Sequence, residues 1–230
     1  MTTPVALSWS GGKDSALTLH ALRTSVEYEV TALITSVTRG YDRISIHGVR
    51  RTLLEQQAVS LGLPLVQVTL EPACSNDDYE AAFLCGLAEL SVRQPGTAHL
   101  AFGDLYLADV RDYRDRLLAP TAFRGVYPLW HRPTTALAEQ FIAAGFQANL
   151  VCTDDTQIDP SFAGRLFDRA LLADLPAAVD PCGENGEFHT FVWDGPIFGR
   201  PVPVTKGKTV QRDGRFTYCD LLPAHGSGSA

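Results

Sequence analysis

Lysine is nearly missing from this sequence. Of its 19 basic residues only three are lysine, Lys13, Lys206 and Lys208. Arginine serves wherever a generic surface cation is wanted, so a lone early lysine inside a Gly-rich turn reads as chosen for its chemistry. A paired cysteine framework is also lacking. Cys74, Cys85, Cys152, Cys182 and Cys219 are odd in number and contain no C-x-x-C, which argues against a disulfide scaffold and a zinc ribbon. Reduced thiols in a cytoplasmic protein are the expectation. No run approaches the ~18 apolar residues of a membrane span, and no charged-then-apolar leader opens the chain. There is no basic excess either: the net charge is −7 and the pI about 5.3, which disfavours a nucleic-acid partner. A Walker A loop is missing as well. Gly207-Lys208-Thr209 ends like one, but Val202 stands where the first glycine is required.

What is present suits a globular protein. The chain has 230 residues, 45% hydrophobic and 20% charged, enough for one large domain or two small ones. Val5 to Trp9 is a short apolar run that predicts a buried strand. A helix from Ser15 to Leu22 and a strand from Val30 to Val37 follow. Leu54, Ala58 and Leu61 mark one helix face, stopped by Gly62-Leu63-Pro64. Leu65–Leu70 is a third strand, and Ser75-x-x-Asp78 resembles a capping box opening a helix to about residue 90. Leu100–Phe102 is a fourth strand closed by Gly103-Asp104, and Arg111–Leu118 is helical.

Alternating strands and helices imply a parallel sheet whose ligands bind beyond the carboxyl ends of the strands. Three polar turns lie at such ends: Ser10–Ser15, the stretch after Val37, and Gly103-Asp104. They are expected to converge on one crevice. The rhythm changes after Pro120. A helix capped by Thr134 or Thr135, a strand over Gln147–Thr153, a helix over Phe162–Leu172, an apolar run over Phe188–Trp193 and a hairpin at Asp213-Gly214 predict a second, α+β unit. The expected division is residues 1–120, residues 121–225 and a flexible tail over 226–230.

Ser10-Gly11-Gly12-Lys13-Asp14-Ser15 falls between a strand and a helix. Its glycines let backbone N–H groups approach an anion, and the helix N-terminus adds partial positive charge. Ser10 and Ser15 offer hydroxyls, and Lys13, expected to lie exposed in the loop, adds a full charge. Asp14 would hold a metal, or cap the helix and orient Lys13. Glu184 and Glu187 flank the turn dipeptide Asn185-Gly186. Paired carboxylates there can bind Mg²⁺ or an amine, or take a proton from attacking ammonia, with His189 near them if the turn folds back. Arg50, Arg51 and Arg111 offer guanidinium forks for phosphate. Cys182, beside two carboxylates, reads as structural.

The Ser-Gly-Gly-Lys-Asp-Ser loop is similar to the pyrophosphate loop of N-type ATP pyrophosphatases. Further stretches of the chain narrow the likeness: His47-Gly48-Val49-Arg50, Gln57-Ala58 ahead of Leu61-Gly62-Leu63-Pro64, Gly103-Asp104, Pro128-Leu129-Trp130, and Gly183-Glu184-Asn185-Gly186-Glu187-Phe188-His189-Thr190. Together they resemble the diphthine–ammonia ligase family and its bacterial relatives, over residues 4–205. Asn185 and His189 depart from that family's pattern, which bears on the substrate more than on the nucleotide.

The resemblance implies an α/β, HUP-type (Rossmann-like) parallel sheet with helices on both faces, plus a smaller C-terminal α+β domain. It implies cleavage of ATP, with Mg²⁺, to AMP and pyrophosphate, and amide formation between a small-molecule or protein-borne carboxylate and ammonia or an amine. The nucleotide would meet Ser8, Ser10, Gly11, Gly12, Lys13, Asp14, Ser15, His47, Gly103 and Asp104. Lys13, Asp14, Glu184 and Glu187 would be catalytic, and Asp14 would face the Mg²⁺. A tRNA-thiolation enzyme and a non-catalytic nucleotide sensor are the alternatives. A homodimer is compatible with the sequence, and no membrane partner is expected.

Overall fold

Alternation along the first strand sets the layers. In β1 (Thr3–Ser8), Val5 and Leu7 point into one apolar cluster while Ala6 points into another, the period-2 pattern of a strand buried on both faces. The computed structural model describes residues 2–40, 43–44 and 48–224. The expectations for His47 and for the tail at 226–230 therefore lie outside the described residues.

After β1 come α1 (Lys13–Thr24), β2 (Tyr28–Thr38), the two-residue β3 (Arg43–Ile44), α2 (Arg51–Leu61) and β4 (Leu65–Leu70). Then follow α3 (Asn76–Arg93), β5 (His99–Ala101), α4 (Ala108–Leu118) and β6 (Arg124–Val126). The parallel strands lie in the order β4-β2-β1-β5-β6. The short β3 pairs antiparallel with the end of β2. Leu17, Leu19, Leu53 and Leu54 of α1 and α2 fill one face. Phe83, Leu87, Leu90, Leu117 and Leu118 of α3 and α4 fill the other. Chain direction across the sheet reverses between β1 and β5, and such a switch point opens a crevice at the carboxyl ends of the strands. β6 carries this sheet past the division expected at 120/121.

The rest of the chain builds a second, antiparallel sheet. Its elements are α5 (Thr134–Ala143), β7 (Gln147–Asp154), α6 (Arg169–Asp174), β8 (Phe188–Asp194), β9 (Val204–Arg212) and β10 (Phe216–Pro223). The strands run in the order β8-β7-β10-β9. Asp213 and Gly214, both at positive φ (54° and 62°), turn β9 into β10, as the Asp-Gly signal requires. Phe141, Leu150, Phe188 and Phe191 join the cluster that covers the α1/α2 face. The two sheets therefore share one core.

The helix expected over 162–172 does not form. A 3₁₀ turn at Pro160–Phe162 is followed by a further turn and a single antiparallel bridge from Leu166 to Asn149, and Gly164 and Phe167 donate to the Leu150 and Ala148 carbonyls of β7. Gly164 has φ +86°, and a Cβ there would meet Cys219 Sγ at 2.8 Å. The helix starts only where Asp168 caps α6 by accepting from Leu171 N–H at 2.8 Å. The capping box of α3 does form, with Ser75 Oγ accepting from Asp78 N–H at 3.1 Å.

Gly86 of α3 sits on the sheet, where an added Cβ would come within 2.4 Å of Val68 Cγ2. Alanine gains about 1 kcal/mol in helix propensity, but the stiff, buried valine cannot move aside and overpacking costs about 1–3 kcal/mol. Gly86→Ala is expected to lose stability in urea unfolding, and Val68→Ala in the same chain to suppress that loss. A simple gain in stability would contradict this packing.

Candidate functional site

The loop after β1 is fixed from outside before it can present anything. Gly11, at φ +78°, gives its carbonyl to Gln57 Nε2–H at 3.1 Å and to Val192 N–H at 2.9 Å. Gln57 also donates to the Val192 carbonyl (2.6 Å) and accepts from the Trp9 indole (2.9 Å). Its side chain is fully buried, so a buried amide clamps the loop between α2 and β8. Gly12 is the N-cap of α1 and makes no side-chain cap. A helix start without a side-chain cap leaves first-turn N–H groups for an anion, other than that of Lys13, which Thr190 takes. Ser15 Oγ donates to the Gly12 carbonyl (2.8 Å), and Ser10 Oγ lies 3.3 Å from it while accepting from Gly12 N–H.

Lys13 departs from the expectation of an exposed loop cation. It is 2% exposed. Its ammonium has three protons, and three acceptors take them: both Asp14 oxygens, at 2.9 Å each, and the Cys182 carbonyl. The rings of Phe188 and Phe167 lie 5.5 and 5.9 Å away. Burial works against the charge, but Asp14 and the neighbouring carboxylates outweigh it and hold Lys13 above the ordinary lysine value. Lys13 N–H also donates to Thr190 Oγ1 at 3.0 Å. The residue read as a phosphate ligand thus ties α1 to the second sheet.

Gly103 brings the next turn against α1. A Cβ there would lie 3.0 Å from the Asp14 carbonyl carbon and 3.2 Å from Ser15 N, so any side chain would press the α1 backbone back by a few tenths of an ångström. Asp104 follows, with Oδ2 at 3.6 Å from Arg114 Nε, and Arg114 lies over the Phe102 ring at 5.0 Å. Burial pushes the Asp104 carboxyl up, against the pull of Arg114.

The acidic turn separates its two glutamates. Glu187 is 2% exposed and accepts from Asp180 N–H (2.9 Å), Asn185 N–H (2.9 Å) and Asn185 Nδ2–H (3.0 Å). It braces the turn and is not among the residues lining the cleft. Asp180 is a second brace, accepting from Cys182 N–H and Thr134 Oγ1–H. Glu184 faces the cleft and crosses to the first sheet, where Oε1 accepts from Leu105 N–H at 2.7 Å. Burial pushes its carboxyl up to about 7, against the backbone hydrogen bond from Leu105.

These parts close around one cavity of about 240 Å³. Its lining contains Ser8, Ser10, Gly12, Lys13, Asp14, Ser15, Gly103, Asp104, Glu184 and His189, together with Arg114, which sequence reasoning missed. Arg114 falls on the α4 turn that follows Gly103-Asp104, and a +10 spacing on a helix carried no signal of its own. The arginines named in its place are used elsewhere. Arg50 grips Asp220 of β10 at 2.6 Å, Arg51 lies 3.7 Å from Glu55, and Arg111 stacks on Tyr127 and Trp130 at 4.6 and 4.8 Å. Of the three polar turns expected to converge, the one after Val37 contributes no described residue to the cavity. Cys182 is structural: its thiol donates to the Thr134 carbonyl, and burial pushes it up to about 12. No group of three or more metal-type side chains is found among the described residues. None of the described helices is long and apolar enough to cross a membrane.

A doubly wound parallel sheet with a glycine- and serine-rich loop at its switch point is a HUP-type, Rossmann-like fold, here joined to an antiparallel sheet. The chain belongs to the diphthamide synthase family. Residues 3–121 match the diphthamide synthase N-terminal domain and residues 133–221 its C-terminal domain. It is similar to a diphthine–ammonia ligase of Danio rerio, 25% identical over 221 residues that cover 87% of this chain and 86% of the relative.

Two outcomes follow from the site. Lys13→Ala strands Asp14 and the Cys182 carbonyl, and is expected to lower stability in urea by about 1–3 kcal/mol. Unchanged stability would show that Lys13 is free of this network. Glu184, whose folded value lies above its ordinary 4.5, lends stability in full below about pH 4.5 and loses it as pH rises through about 7. Glu184→Gln keeps the acceptor for Leu105. Its melting temperature is expected to match the parent at pH 5 and exceed it at pH 8, by an amount worth about 1 kcal/mol after solvent screening. Equal melting temperatures at both pH values would contradict the burial effect.

Proposed function

We propose that the protein is an ATP-dependent ligase that adenylates a carboxylate, releases pyrophosphate, and joins the acyl group to ammonia or an amine. The observation that carries this reading is the meeting, in one cleft, of an anion-binding loop from the parallel sheet and the half-buried Glu184 from the second half of the chain. The family and the diphthine–ammonia ligase relative support the same chemistry.

A carboxylate oxygen of the acyl substrate attacks the α phosphorus of ATP, and pyrophosphate leaves with the electron pair of the broken P–O bond. Charge builds on the leaving group, where the first-turn N–H groups of α1 stabilise it electrostatically. Ammonia then attacks the acyl carbon. A C–N bond forms, AMP leaves with the C–O electron pair, and nitrogen gives up one proton. Glu184, with a carboxyl near neutrality, suits that proton, so the role expected of Glu187 passes to it. Mg²⁺ would neutralise the outer phosphates. With Asp14 engaged by Lys13 and no cluster of metal-type side chains among the described residues, the ion would travel on the nucleotide, Asp14 being the carboxylate at hand. Residues 1–120 would serve the nucleotide and residues 121–225 the acyl substrate. The buried thiols of Cys152 and Cys182 give no support to a sulfur-carrying role for those two residues.

Incubation with ATP, MgCl₂, ammonium chloride and a panel of carboxylates is expected to yield AMP and pyrophosphate on chromatography. ADP and phosphate as the main products would refute the proposal, and no turnover would leave a nucleotide sensor. With an active carboxylate, Glu184→Gln is expected to keep ATP–pyrophosphate exchange while amide formation falls roughly 10²–10⁴-fold. Glu187→Gln should lower both together, because the turn loses its brace. Parallel loss of both half-reactions in Glu184→Gln would make Glu184 a nucleotide ligand instead.

A further inference from the structure

The parallel strands end on β4 and β6, and the antiparallel sheet ends on β8 and β9. Three of these edges are guarded. β8 closes against the loop after β1, where Val192 N–H meets the Gly11 carbonyl. β6 is only three residues long. β9 is long, but it carries Lys206, Lys208 and Arg212, and charge on an edge strand discourages pairing with another chain. Two of the three lysines of the sequence thus stand on this one edge. β4 differs. Leu65-Val66-Gln67-Val68-Thr69-Leu70 holds no charged residue, and no strand among the described residues pairs with its outer side. The phase of its hydrogen bonds is fixed at both ends. Leu33 N–H donates to the Pro64 carbonyl at 2.8 Å, and Arg39 N–H to the Leu70 carbonyl at 2.7 Å. In a parallel ladder that phase turns the backbone groups of Val66, Val68 and Leu70 toward β2. The N–H and C=O groups of Leu65, Gln67 and Thr69 therefore point outward. Beside this edge the exposed Val59 of α2, with Leu63, Pro64 and Leu65, lines a groove of about 420 Å³.

We infer that β4 is a dimer contact, pairing antiparallel with β4 of a second copy about a two-fold axis through Gln67. An antiparallel pair exchanges two hydrogen bonds at every second residue. With the axis on Gln67, that residue faces its own copy, and Leu65 faces Thr69 of the partner subunit. Every outward N–H and C=O of both strands then has a partner. Moving the axis to Val66 or Val68 leaves one outward residue of each β4 opposite no strand residue. On the buried face Val66 meets Val68 of the partner subunit, so the apolar cluster that holds both residues continues into the second copy. Such an isologous contact closes on itself and leaves no free β4 edge. Charge points to the same edge. Copies of a chain with net charge −7 repel each other, and β4 offers them an uncharged strand on which to meet. This contact is independent of the ligase reading.

Sedimentation velocity on the full chain tests it. At micromolar concentration the parent is expected to run as a dimer, at twice the 25.0 kDa of one chain. Gln67 N–H takes no part in the ladder with β2, and proline is tolerated on an edge strand where its missing N–H faces out. Gln67→Pro is therefore expected to fold and to run as a monomer. Should it not fold, a charge swap decides. Gln67→Lys and Gln67→Glu each set like charges opposite one another on the axis and are expected to weaken the dimer severalfold. An equimolar mixture of the two is expected to recover it as a heterodimer. A monomeric parent, a dimer that Gln67→Pro or Gln67→Lys leaves unchanged, or a mixture that associates no better than either variant alone would overturn the contact.

Discussion

A single buried ammonium joins the two halves of this protein. Lys13 stands at the first position of α1, yet its charge is spent on Asp14 and on the carbonyl of Cys182, which lies far along the chain in the second half. Around it, the Gly11 carbonyl takes the N–H of Val192, Thr190 takes the N–H of Lys13, and Gln57 fastens both strands of the contact. A buried charge without partners is costly, so the two halves cannot separate without stranding it. The loop is therefore held in one shape at the start of α1. The acidic turn is delivered to it in a fixed register.

That constraint explains why four carboxyls near the site have four roles. Asp14 neutralises Lys13. Glu187, wrapped in three N–H groups, shapes the turn from inside. Asp104 pairs with Arg114 in the wall of the cleft. Glu184 alone spans from the turn to the opposite loop, where partial burial brings its carboxyl near neutrality. Residue type does not distinguish these roles; the surroundings do, by setting how much water and which N–H groups each carboxyl retains.

Local signals carried the first half of the chain well. The apolar runs of β1, β2, β4 and β5, the capping box at Ser75 and the glycine stops all produce the expected elements, because each depends on near neighbours in sequence. The Ser10–Ser15 loop and Gly103-Asp104 were legible for the same reason, since strand ends and switch points follow from element order. Long-range effects were not legible. Whether Lys13 points to solvent or into the core depends on Cys182, and whether Glu184 or Glu187 reaches the cleft depends on Asp180 and Leu105. The helix expected after Phe162 failed because Gly164 and Phe167 pair with β7 instead. Arg114 went unseen because an arginine on an amphipathic helix resembles a solvated one until Phe102 and Asp104 are placed beside it.

The central claim is that one cleft, built from both sheets, receives the nucleotide. Hydrogen–deuterium exchange with and without Mg-ATP tests it most directly. The account predicts coordinated protection of three segments, residues 10–16, 103–107 and 183–190. Protection confined to the first of these, or lacking from all three at saturating ATP, would contradict it.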